Sequence, residues 1–149
     1  MNNILKIIAF ILALSGGFFA KDIVQLFASD TTAVTQSAPK LEDYCMLSTQ
    51  ACTQQAVSMT LSNDTAQPLV ASEVRVEWPS SKEPQLVLTL SGLEMDMGKP
   101  KFVLKQTSPG HYSGEVILPV CTTDAMTWLG ELTDGTGTTT VYPAIRMQR

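Results

Sequence analysis

The most unusual chemistry in this 149-residue chain is concentrated in Leu93-Glu94-Met95-Asp96-Met97-Gly98. On a strand, residues two apart point to the same face, so Met95 and Met97 would set two thioethers side by side. Thioether and thiolate sulfurs are soft ligands that select Cu(I) over harder ions. Further donors of this kind are Cys121 and, five residues later, Met126, with His111 as a lone imidazole. Met95, Met97, Cys121, Met126 and His111 are therefore the candidate ligands of a Cu(I) site. The same letters also fit a half-buried strand, since Leu93, Met95 and Met97 alternate with Glu94 and Asp96, and methionine is a common core filler.

Catalysis finds few parts. There is one histidine, no G-x-S-x-G, no H-E-x-x-H and no C-x-x-C. The expectation is that the protein is not an enzyme. A net charge of −4, with scattered basic residues, argues against binding nucleic acid, because nothing would neutralise a phosphate backbone.

The elements that must position these donors read as strands. Val57, Met59 and Leu61 alternate with polar neighbours, as do Val74, Val76 and Trp78 up to Pro79. Leu86, Leu88 and Leu90 precede Gly92, and Phe102 and Leu104 lie among Lys101, Val103 and Lys105. Tyr112 to Leu118, Met126 to Leu132 and Thr139 to Met147 complete about seven strands. Turn signals separate them, among them Ser62-Asn63-Asp64, Ser108-Pro109-Gly110 and Gly98-Lys99-Pro100. The pattern predicts a mainly β fold, an immunoglobulin-like antiparallel β-sandwich, with Trp78 and Trp128 as core aromatics.

Ile4 to Ala20 is almost wholly apolar, with Lys6 its only charge, and the apolar character resumes from Ile23 to Ala28. A bilayer core needs about 20 apolar helical residues, so residues 1–28 are expected to form one transmembrane anchor. A cleaved signal peptide is the competing reading, but Phe18 and Leu26 put large residues where small ones are normal. Residues 29–40 are small and polar and read as a flexible linker. Residues 41–149 then form the domain. Lys6 near the start agrees with a cytoplasmic amino terminus, so the domain is expected outside the cytoplasm, on the periplasmic side if the membrane is a bacterial inner membrane. In that oxidising compartment at least one disulfide is expected from Cys45, Cys52 and Cys121. Either Cys45 pairs with Cys52 and leaves Cys121 free, or Cys52 pairs with Cys121 across the sandwich.

The Met95-Asp96-Met97-Gly98 string, then Gly110-His111-Tyr112-Ser113-Gly114-Glu115, Leu118-Pro119 and the tryptophan strand Met126–Leu132 carry a resemblance. Over residues 55 to 133 the chain resembles the FixH-like and YtkA-like small, membrane-anchored periplasmic β-sandwich proteins. It departs from that group at Cys121-Thr122-Thr123-Asp124-Ala125, where the group carries a glycine, and in having three cysteines. The resemblance implies a role in copper handling or cytochrome oxidase assembly, with a respiratory oxidase or copper chaperone as partner. It carries Met95 and Met97 over as ligands. The alternative from a different class is a metal-free structural or protein-interaction module stapled by its disulfide.

Overall fold

The computed structural model describes residues 39–134 and 139–149. The expected anchor, and the expected linker up to residue 38, lie outside the described residues. Among the described residues no helix is long and apolar enough to cross a membrane.

A 3₁₀ turn at Leu41–Asp43 leads into the strands β1 (Cys45–Met46), β2 (Cys52–Gln54), β3 (Val57–Leu61), β4 (Ala71–Glu77) and β5 (Gln85–Gly92). They are followed by β6 (Lys101–Ser108), β7 (His111–Ile117), β8 (Ala125–Thr133), β9 (Thr140–Val141) and β10 (Pro143–Gln148). Apolar alternation builds the longer strands. In β3 all three apolar residues are buried, and in β4 and β5 the inward Val74, Val76, Leu86, Leu88 and Leu90 are almost wholly shielded from water. Trp78 and Trp128 are core residues, as expected.

The mainly β expectation holds, but the arrangement differs from two separate sheets. The strands follow one hydrogen-bonded path, β1-β10-β8-β5-β6-β7-β4-β3-β2, with β9 added beside β8. The path is continuous because β6 serves two neighbours. From Lys101 to Lys105 it pairs with β5, and from Lys105 to Ser108 it pairs with β7. The sheet therefore turns a corner at β6 and curls nearly into a barrel.

The two ends of the path meet at a seam. Cys45 of β1 and Cys52 of β2 form a disulfide, with Cα atoms 6.0 Å apart, and Cys121 is a free, buried thiol. The first of the two expected pairings is thus the one formed. Gln54 spans the same seam: its Nε2 donates to the Asp43 carbonyl at 2.6 Å, and its Oε1 accepts from the Tyr142 N–H at 2.8 Å. Beside it the Tyr44 and Tyr142 rings meet edge to face. β1 runs parallel to β10, and Ala66 continues along the same edge of β10 by pairing with Met147. An edge that would otherwise show unpaired N–H and C=O groups is thereby covered.

The β2–β3 hairpin turns on only two residues, Gln55 and Ala56, both at positive φ (47° and 64°). That geometry matches the right-handed twist of the flanking strands, and Asn-Gly is its usual sequence. Here two residues with side chains adopt it.

Candidate functional site

The antiparallel registers sort the connections onto two poles. Gly92 pairs with Trp128, Ala71 with Ile117 and Gln148 with Ala125. Residues 93–100, 118–124 and 62–70 and the C-terminal Arg149 therefore gather at one pole. The β2–β3 and β6–β7 turns and the start of β1 lie at the other.

Residues Leu93 to Met97, expected as a strand, form a bent loop between β5 and β6. The expected alternation holds only in part: Met95 and Met97 are half-buried against the core and Glu94 and Asp96 are exposed, but Leu93, expected on the methionine side, is exposed too. The strand stops because a side chain takes over from the backbone as partner of β8. The Leu93 N–H still reaches the Thr127 carbonyl at 2.9 Å, but the Thr127 N–H donates to Glu94 Oε2 at 2.7 Å. Arg146 Nη1 closes the cluster, 2.7 Å from Thr127 Oγ1 and 3.3 Å from Glu94 Oε1. Desolvation works against the Glu94 charge, yet the bonds from Thr127 and the Arg146 guanidinium outweigh it and hold the carboxyl below its ordinary value. On the far side of Met95, Asp96 Oδ1 accepts the Gly98 N–H at 2.9 Å, and Gly98 sits at a φ of 76°. Both flanks of the methionine pair are thus tied down by short-range polar bonds.

Met126 is wholly buried and stands opposite Met147, also buried, in the β8–β10 ladder. Directly opposed residues share a face, so these two thioethers lie side by side. Gly92 joins Met126 to the loop. A Cβ placed on Gly92 would collide with the Met126 terminal methyl and with the Met95 carbonyl oxygen. Met126 and the Met95 backbone therefore both touch the glycine.

Cys121 lies at the same pole, in the β7–β8 connection, with its thiol hydrogen-bonded to Thr123 Oγ1 at 3.1 Å. Arg149 Nη2 donates to the Cys121 carbonyl at 2.6 Å. Met95, Met97, Met126 and Cys121 thus share one end of the fold. His111 does not join them. It is exposed at the start of β7, at the opposite pole, where its Nδ1 is 3.9 Å from Glu77 Oε1. The length of β6 separates it from the methionine loop, roughly 23 Å at about 3.3 Å per residue. Among the described residues no three His, Cys, Asp or Glu side chains converge as a metal-binding group.

The pole is also apolar. Leu69, Val70, Leu93, Ile117 and Val120 are exposed in its three connections and at the end of β7. Two features escaped sequence reading. The role of Gly92 depends on a neighbour 34 positions away, which nothing local announces. Met147 stood on a legible strand, but its pairing with Met126 needed the register.

No family model, curated protein or solved structure matches the chain.

Proposed function

We propose that this chain is a membrane-anchored periplasmic accessory protein that offers a thioether-lined pole to Cu(I), in copper handling or cytochrome oxidase assembly. The observation that carries the reading is the placing of five sulfur-bearing residues at one pole: Met126, whose terminal methyl meets Gly92 where the Met95 backbone also does, with Met97, Met147 and Cys121 on the same end of the topology. The donor types suit a soft monovalent cation. Half-buried Met95 and Met97 would be the ligands reachable from outside, with buried Met126 behind them. An immunoglobulin-type order supports kinship with small periplasmic sandwiches. Taking β3 to β8 and β10 as strands A to G, the path reads A-B-E-D followed by C-F-G. The apolar run in residues 1–28 supports the anchor.

Anaerobic Cu(I) titration of the full-length chain against a chromophoric chelator tests this reading. Met95→Leu with Met97→Leu keeps volume and apolarity but removes both thioethers, and is expected to abolish binding. His111→Ala is expected to leave it unchanged. Equal copper binding by wild type and the double-leucine variant would reject the reading.

A second reading, a metal-free interaction module, is favoured by exposed Leu69, Val70, Leu93, Ile117 and Val120 at the same pole. On this reading Leu69→Ser with Ile117→Thr abolishes recruitment of a respiratory-oxidase or copper-chaperone partner. The double-leucine variant then keeps it.

A further inference from the structure

A second group of sulfurs lies at the seam, away from the methionine loop. Cys52 stands directly opposite Met59 in the β2–β3 ladder. Residues so opposed have Cβ atoms about 4.5–5.5 Å apart. Cys45 completes the group through the disulfide, its Cα 6.0 Å from that of Cys52. Cys45 and Met59 are buried, whereas Cys52 is half-buried and is the more exposed of the two cysteines. Opening the S–S bond leaves two thiols, with the Met59 thioether on the same face of the ladder as Cys52, a donor set for a soft cation.

We propose that the Cys45–Cys52 disulfide is the closed, oxidised form of a Cu(I) site whose ligands are Cys45, Cys52 and Met59, and that a dithiol reductant opens it. One thiolate of the reductant attacks Cys52 Sγ, and Cys45 Sγ leaves and takes up a proton. The second sulfur of the reductant then displaces Cys52, which is protonated in turn. The reductant ends as a disulfide, two electrons poorer, and the protein gains two electrons and two protons. Cu(I) then binds all three sulfurs and releases both thiol protons, with no change in its own oxidation state.

The seam is built to stay in place while the bond opens. Gln54 holds both Asp43 and Tyr142. The Leu47 N–H donates to the Ala144 carbonyl at 2.7 Å, and the Leu61 N–H to the Ser48 carbonyl at 2.8 Å. These ties do not pass through the disulfide. The inference is independent of copper binding at the methionine pole.

The test uses the full-length chain carrying Met95→Leu, Met97→Leu and Cys121→Ser, which silences the pole and the spare thiol. Cu(I) is titrated anaerobically against a chelator before and after reduction with a phosphine that is then removed. One Cu(I) per chain is expected, only after reduction. Adding Cys45→Ser with Cys52→Ser should abolish it, and adding Met59→Leu should weaken it by about tenfold or more. Equal binding before and after reduction, or no effect of Met59→Leu, would overturn the proposal. Loss of the β circular-dichroism spectrum on reduction would overturn it too, since the site needs a folded seam.

Discussion

Replacing Gly92 by alanine probes the contact that joins the methionine loop to the core. Gly92 is not at positive φ, so its backbone accepts an L-residue. On chain entropy alone the change would stabilise the fold by about 0.4–1 kcal/mol. Space decides the sign. The added methyl would overlap both the Met126 terminal methyl and the Met95 carbonyl. The methionine end can swing aside, but the carbonyl belongs to a loop pinned by Glu94 and Asp96. Overpacking of this kind costs about 1–3 kcal/mol, so a net loss of about 1–2 kcal/mol is expected. In a domain of this size that lowers the melting temperature by roughly 5–10 °C. Met126→Ala alone should cost about 2–5 kcal/mol through the cavity it leaves. Combined with Gly92→Ala it should cost less than the sum, because the shortened side chain makes room, with a coupling of about 1 kcal/mol. Urea unfolding of the four proteins closes the cycle. A Gly92→Ala variant more stable than wild type, or strict additivity, would refute the placement of Met126 against Gly92.

Gln54→Ala removes both seam bonds and leaves the half-buried Tyr142 N–H without its acceptor, so a loss of about 1–3 kcal/mol in urea unfolding is expected. Ala56→Gly should raise the melting temperature by a few degrees, about 1 kcal/mol, because an L-residue pays roughly 1–2 kcal/mol at positive φ and glycine does not. Glu94 has a folded pKa held below its unfolded value, so its contribution is present above about pH 4.3 and lost as pH falls through the lower folded value. Urea midpoints of Glu94→Gln should therefore fall less than those of wild type between about pH 5 and pH 3.

The long strands were legible because burial imposed a period of two on them. Val57–Leu61, Val74–Val76 and Leu86–Leu90 show it plainly, and each lies in a strand of the fold. β1 and β2 were not legible, being two and three residues long, with positions set by a disulfide and a hairpin rather than by alternation. Gln55-Ala56 gave no turn signal either, because this turn is normally marked by Asn-Gly. Leu93 to Met97 misled for the opposite reason. A loop lying on a core buries alternate side chains just as a strand does, and only the capture of the Thr127 N–H by Glu94 reveals that the ladder has ended. Sequence named the sulfur donors but could not sort them by pole. Register brings Met126 to the methionine loop and carries His111 to the far end.

The most direct test of the central claim is copper K-edge X-ray absorption on the Cu(I)-loaded, full-length chain with its disulfide intact. The thioether pole predicts a first shell of sulfur alone, with no imidazole scattering. A shell dominated by nitrogen or oxygen, or protein that retains no copper, would contradict it.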